Sequence, residues 1–273
     1  MKMGSLFSGI GGLDLGLERS IPGLQTVWQV EKEPFCRSVL ERHWPNTKRY
    51  NNVLHVGAHN LEPVDVICAG FPCQSVSIAG KMRGLEDEEK SGLWWHVHRL
   101  VSEFQSIGHE PILVLENVAN IIRVGGPDVV GSLTAIGYDI EWTTISAAQC
   151  GAPHLRRRWF AVAFPKTIGY YLRNELAFAN TNSQRIKEQP IWSESVESAR
   201  QSECRSSQTP RTQQNYWQGF PTQSPVCRRN DGVPNRVDRL RALGNAVVPQ
   251  CAEWVGQQIV KSGLLEVACL QNN

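Results

Sequence analysis

The chemistry this chain can do starts from a thiol at a turn. Val64-Asp65-Val66-Ile67-Cys68-Ala69 is an apolar run of strand length that breaks at Gly70. Pro72 then fixes φ and removes a ladder donor immediately before Cys73. A thiol at the carboxyl end of a buried strand stands where open α/β sheets meet their ligands, so Cys73 reads as a nucleophile. Taken alone, a buried structural cysteine is the commoner case. A second group bears on the choice. Pro111-Ile112-Leu113-Val114-Leu115-Glu116-Asn117-Val118 is another buried strand, and it ends in a carboxylate beside an amide. Following four aliphatic residues, Glu116 is partly desolvated, which favours its protonated form and equips it to donate a proton; capping the next helix is the alternative role. In a parallel sheet this strand end lies next to the Cys73 turn. A third group is the run Arg156-Arg157-Arg158, facing a phosphate or simply solvated at the surface.

These groups need a scaffold, and the flanking patterns supply one. Met1 to Phe7 reads as a strand, followed by Phe7-Ser8-Gly9-Ile10-Gly11-Gly12-Leu13 and a helical spacing through Leu17. Strand, glycine-rich turn and helix N-terminus form the usual seat of a nucleotide-like cofactor, although the spacing is not GxGxxG and a tight structural turn has the same look. Thr26 to Val30 is a strand ending at Glu31, about 20 residues beyond the turn, where a carboxylate can accept from ribose hydroxyls. Tyr50-Asn51-Asn52-Val53 is a loop that could receive an adenine edge. Glu33 to His43 is a crossover helix, and another helix starts at Leu93. Between Ser75 and Gly92 the polar, glycine-punctuated stretch reads as a lid or as an ordinary surface loop. Residues 137–145 and 158–164 look like paired strands. From about Lys166 to Arg229 the chain turns to Gln, Ser, Thr, Asn and Arg, either a linker or a polar surface that reads base edges. Helical periodicity returns from Cys251 to Ile259.

The totals bound the class. The 273 residues, 41% hydrophobic, can bury a sizeable core, and a net charge of +2 does not by itself announce a polyanion partner. Eight cysteines without CxxC pairs argue against a disulfide framework or zinc site, and for reduced thiols in the cytoplasm. No run approaches the roughly 18 apolar residues of a membrane span, and the start carries no charged-then-apolar signal segment.

In this order the motifs resemble the DNA (cytosine-5) methyltransferases, particularly the short bacterial and phage-borne type. Phe7 to Leu13 is similar to the cofactor motif and Gly70-Phe71-Pro72-Cys73-Gln74-Ser75 to the nucleophile motif. Glu116-Asn117-Val118, Gly151 to Arg158, and Gly244-Asn245-Ala246-Val247-Val248-Pro249 match the others in turn. The resemblance implies a doubly wound, mostly parallel α/β sheet, the Rossmann-like class I S-adenosylmethionine-dependent fold. Residues 1–165 plus 230–273 would form the catalytic and cofactor-binding domain, and 166–229 a small, irregular target-recognition domain.

It implies that Cys73 adds to carbon 6 of a cytosine flipped out of duplex DNA while Glu116 protonates ring nitrogen 3. Asn117 fixes that neighbourhood, Arg158 binds the carbonyl oxygen and Arg156 positions the site or a phosphate. The implied cofactor is S-adenosyl-L-methionine, leaving as S-adenosyl-L-homocysteine, with no metal. Phe7 packs on its adenine, Ser8, Gly9, Ile10, Gly11, Gly12 and Leu13 hold its amino-acid part, and Glu31 takes the ribose. Asn52 and Val53 meet the adenine, while Gly70, Pro72, Leu93, Asn245 and Val247 complete the pocket. Two positions depart from the family's usual residues: Asn52 replaces an Asp, and His154 a Gln. A cytoplasmic monomer is expected, with or without a partner restriction endonuclease. The competing readings are an RNA cytosine-5 methyltransferase, a catalytically silent DNA-binding module on the same scaffold and, from the glycine-rich turn alone, a dinucleotide oxidoreductase.

Overall fold

The computed structural model describes residues 1–72, 92–169 and 236–271. In chain order the elements are β1 (Lys2–Leu6), α1 (Gly12–Ser20), β2 (Gln25–Val30), α2 (Pro34–His43), β3 (Lys48–Tyr50), a 3-10 turn at Val53–His55 and β4 (Val66–Gly70). There follow α3 (Trp94–Ser106), β5 (Ile112–Val118), α4 (Ile121–Val124), α5 (Gly126–Ala135), β6 (Tyr138–Ser146), a 3-10 turn at Ala147–Cys150 and β7 (Arg157–Pro165). After residues 170–235 come α6 (Arg236–Asn245), α7 (Pro249–Lys261) and α8 (Leu264–Gln271).

The strands form one sheet in the order β3-β2-β1-β4-β5-β7-β6. All neighbours are parallel except β7, which runs antiparallel to both β5 and β6. The chain winds outward from β1 through β2 to β3, then restarts at β4 on the other side. The order therefore reverses between β1 and β4, and in open α/β sheets the crevice beyond the strand ends at such a point is where ligands bind.

The central strands are continuous apolar runs because both faces are covered. Ile67, Ala69, Leu113, Leu115 and Ala161 join Trp94, Val97, Leu100 and Val101 of α3 in one buried layer. Their alternates Val66, Cys68, Ile112, Val114 and Val162 join Leu13 and Leu17 of α1 and Ala252, Val255 and Ile259 of α7 in the other. The paired strands over 137–145 and 158–164 are β6 and β7, in register from Tyr138 opposite Pro165 to Ser146 opposite Arg157.

Three features differ from the sequence reading or extend it. Arg236–Asn245, ahead of the helix expected over Cys251 to Ile259, is itself helical. Among its described side chains Ala242 alone is buried, so it has no apolar stripe to announce it. Helix α5 opens on Gly126 and Pro127, residues that look like a turn but suit a first helical turn. Past the expected boundary at 165, the Lys166 N–H still donates to the Gly137 carbonyl and Ile168 is buried in the α7 layer. The stretch read as a lid and nearly all of the 166–229 insert lie outside the described residues, and so does Cys73. No helix among the described residues is long and apolar enough to cross a membrane.

Candidate active site

Two turns meet at the β1/β4 switch point. The first leaves β1 through Phe7, a non-glycine residue at φ 55°, and passes Gly9 at φ 55° and Gly11 at φ 81° before α1 starts at Gly12. A β-carbon on Gly12 would lie 2.3 Å from the Val247 carbonyl oxygen, so only glycine lets the chain ahead of α7 close on this turn. The second turn leaves β4 at Gly70. Parallel pairing sets Gly70 opposite Glu116, and a β-carbon on Gly70 would lie 3.3 Å from Glu116 Oε2. The side-chain-free position thus leaves room for the carboxylate.

A pocket between these turns is lined by Ser5 to Ile10, Gly12, Leu13, Gly70, Glu116 and Asn245 to Val247. It brings together most of the cofactor residues expected from the sequence. Gly11 sits behind the wall, where its α-carbon faces the Trp44 ring. Asn52 caps the 3-10 turn, its Oδ1 accepting from the Leu54 N–H at 3.0 Å, and Val53 is buried in the core. Leu93 packs on the α3 layer and Pro72 is exposed; neither lines the pocket. Ser5, Leu6 and Ala246 were not singled out. Ala246 could have been found from its position between Asn245 and Val247.

The donor and acceptor set suits a zwitterionic, ribose-bearing cofactor. Helix α1 begins with no side-chain cap, so its first-turn N–H groups are available to a carboxylate. Glu31 accepts from Gly9 N–H at 2.7 Å and Glu33 N–H at 2.8 Å. Two carboxylate oxygens can accept more bonds than these, which leaves acceptor capacity for a diol.

At the other end of the pocket Glu116 is 6% exposed, and burial pushes its carboxyl up to about 7 even though Arg158 and Arg156 pull the other way. Arg158 Nε lies 3.0 Å from Glu116 Oε1. Asn117 donates from Nδ2 to the Phe71 carbonyl at 2.7 Å, tying the end of β5 to the Phe71-Pro72 turn. Arg156 faces away from Glu116 in its bonding: one guanidinium nitrogen donates to the Gly244 and Ala246 carbonyls at 2.8 and 2.6 Å. It clamps the chain that forms the far wall. His154 is exposed.

A buried acid with a guanidinium beside it thus borders a pocket at the switch point of a doubly wound sheet. Residues 1–218 match the family model for C-5 cytosine-specific DNA methylases. The chain belongs to that family. Its Rossmann-like sheet is the one expected for class I S-adenosylmethionine-dependent enzymes. Among curated methylases, it is 33% identical over 167 residues to the type II methyltransferase M2.BsuMI of Bacillus subtilis, covering 60% of this chain and 42% of that one. It is 35% identical over 164 residues to M.CviJI of a Paramecium bursaria Chlorella virus, covering 59% and 42%. The matched stretch therefore spans about half the length of such relatives or less.

Two solved structures share the fold. A prophage-encoded protein of E. coli assigned as a DNA modification methyltransferase has a TM-score of 0.50 and 27% identity, covering 62% of this chain and 48% of its own. The methyltransferase EhMeth of Entamoeba histolytica has a TM-score of 0.58 at 15% identity, covering 96% and 98%.

Proposed function

We propose that this methylase transfers a methyl group from S-adenosyl-L-methionine to carbon 5 of a cytosine in duplex DNA, through a covalent bond between Cys73 and carbon 6. The observation that carries the reading is the register of β4 against β5. It sets the turn that leads into Cys73 beside Glu116, a buried carboxyl whose pKa of about 7 lets it hold a proton at neutral pH.

Cytosine is a poor carbon nucleophile because its ring electrons are delocalised. Addition of the Cys73 thiolate to carbon 6 breaks that delocalisation, and protonation of ring nitrogen 3 by Glu116 removes the charge the addition creates. Arg158, held against Glu116, would leave that ion pair for the cytosine carbonyl oxygen. Asn117 keeps the turn that leads to Cys73 fixed relative to Glu116. The cofactor supplies an electrophilic methyl group on its sulfonium. The α1 N-terminus would hold its carboxylate, Glu31 its ribose and Phe7 its adenine, while Arg156 keeps the Asn245–Val247 wall closed on them. The target carbon is hidden in the duplex stack, so the base must be flipped out at a cost of a few kcal/mol. Residues of the 166–229 insert would choose the sequence. A cytoplasmic setting, with or without a restriction endonuclease, belongs to the same reading.

Transfer from a labelled donor to duplex DNA, to RNA and to neither separates the alternatives. Label is expected in DNA, and Cys73→Ser is expected to abolish it while donor affinity stays close to wild type. Label in RNA alone would establish the RNA reading, and unchanged turnover in Cys73→Ser would remove the assigned nucleophile.

A further inference from the structure

The far wall of the cofactor pocket, Asn245–Val247, lies on the start of α1, with the Val247 carbonyl against Gly12. A cofactor carboxylate held by the first turn of α1 would sit beside this segment, which has to give as the cofactor comes and goes. The chain beyond it is fixed. A β-carbon on Gly16 would lie 2.4 Å from both the Ala252 β-carbon and the Pro249 carbonyl oxygen, so α7 is seated directly on the α1 backbone. The chain before it is α6, in which Ala242 alone is buried among the described side chains, while Val237 and Leu243 are exposed. With so little apolar surface buried, α6 is the part of the wall that shifts at least cost.

Polar contacts hold α6 and the wall from two sides. On one, Arg156 donates to the Gly244 and Ala246 carbonyls. On the other, Arg241 Nη2 lies 3.1 Å from Glu33 Oε1, joining α6 to the start of α2. This second anchor runs on into the opposite wall. The Glu33 N–H donates to Glu31 Oε1 at 2.8 Å, and Glu31 Oε2 accepts from the Gly9 N–H at 2.7 Å. Gly9 lines the pocket, and so does Asn245, the last residue of α6. One chain of contacts therefore links the glycine-rich turn, through Glu31, Glu33 and Arg241, to the helix that ends in the far wall.

We propose that Glu33 and Arg241 are positioning residues that latch the Asn245–Val247 wall to the glycine-rich turn, and that parting this ion pair is the step that lets the S-adenosyl cofactor exchange.

The two anchors differ in strength. Arg156 makes two charge-assisted bonds from a partly buried position. The Arg241 and Glu33 side chains are 66% and 45% exposed, and an ion pair so open to solvent is weak and screened by salt. The wall therefore swings on the Arg156 anchor and parts at Glu33. Neither latch residue lines the pocket, so the pair sets the barrier to exchange rather than the contacts made with bound cofactor. Its loss should raise association and dissociation rates together and leave Kd close to that of wild type. A side chain that gripped the cofactor would instead act on dissociation and weaken binding. The proposal rests on the S-adenosylmethionine reading of the pocket.

The test measures association and dissociation of labelled S-adenosyl-L-methionine with the full chain, without DNA, by rapid filtration and a chase of unlabelled cofactor. Arg241→Met and Glu33→Gln should each raise both rates about threefold, with Kd within about twofold of wild type, the scale of an exposed ion pair. The double variant should be no faster than either single one, as expected of two residues acting through one contact. Raising salt from about 50 mM to about 500 mM should speed exchange in wild type and change it less in the variants. Glu62→Gln removes the comparably exposed Lys2–Glu62 pair at the opposite end of β1 and should exchange as wild type does. Unchanged rates in both single variants, or a double variant whose effect is the product of the two, would overturn the latch and leave the cofactor reading intact. A rise in dissociation alone, with binding weakened to match, would also overturn it, because the side chains would then be gripping the cofactor. If wild type binds no S-adenosyl-L-methionine, the cofactor reading fails and the latch with it.

Discussion

Two carboxylates in this protein are buried to similar depth and answer to different neighbours. Asp14, fully buried in the first turn of α1, accepts from the Ser5 hydroxyl and the Gln29 amide, both at 3.0 Å. Glu116, at the end of β5, has the Arg158 guanidinium beside it and a pocket in front of it. Burial raises both, Asp14 to about 6 and Glu116 to about 7. A raised carboxyl alone therefore does not identify an acid catalyst. Asp14 is closed in by neutral donors from its own sheet, and its proton has no substrate to reach. Glu116 has a charged partner and lines the pocket at the β1/β4 switch point, where the proposed ring chemistry would occur. On the proposed reading the first is a feature of packing and the second of reaction.

The largest way to break this contrast is at Glu116. Glu116→Gln keeps the shape and removes the proton donor, and it should slow methyl transfer by about a hundredfold or more, the usual range for a lost acid. A loss under about tenfold, near 1.4 kcal/mol, would place the proton source elsewhere.

An intermediate effect, on stability rather than rate, is expected at Asp14. Its folded pKa lies above the ordinary 3.8, so its contribution to stability is fully present below that value and is lost as pH rises through about 6. Asp14→Asn removes the cost of a buried charge, and the new amide can donate to Gln29 Oε1, which has no partner. The variant should gain up to about 3 kcal/mol at pH 8, from a shift of roughly two units at 1.36 kcal/mol each. The gain should vanish near pH 4 in chemical denaturation, with transfer barely changed. A loss of transfer comparable to that of Glu116→Gln would erase the distinction between the two acids.

The smallest expected effect is a shift in pH profile. Arg158 lowers the Glu116 pKa, so Arg158→Met should raise it, and the limb of the rate profile on which transfer falls with rising pH should move to higher pH. A shift the other way would mean that the guanidinium does not face the carboxylate in solution.

The runs that become β4 and β5 were legible before the fold was known, for a specific reason. β4 and β5 are buried on both faces, so they appear as unbroken aliphatic runs, and the residues that end them, Gly70 and Glu116, stand opposite each other at the strand ends. The glycine-rich turn was legible because Gly9 and Gly11 adopt backbone angles that other residues disfavour. The Asp14 cage was not found, although Ser5 and Gln29, two polar residues within strands, were its signal. The Arg156 clamp joins positions 88 and 90 residues apart, and no local pattern encodes such a contact. Helix α6 escaped because it packs too little apolar surface to leave a period.

The account stands or falls on a sulfur–carbon bond, and the most direct measurement is to trap it. Duplex DNA carrying 5-fluorocytosine at the target site, incubated with S-adenosylmethionine and the full chain, cannot release its carbon 5 substituent as a proton. The account predicts a stable protein–DNA adduct whose peptide map places the linkage at Cys73, formed far more slowly by Glu116→Gln. Methylation of ordinary cytosine by the same preparation, with no adduct on the fluorinated duplex or with the linkage at another residue, would contradict it.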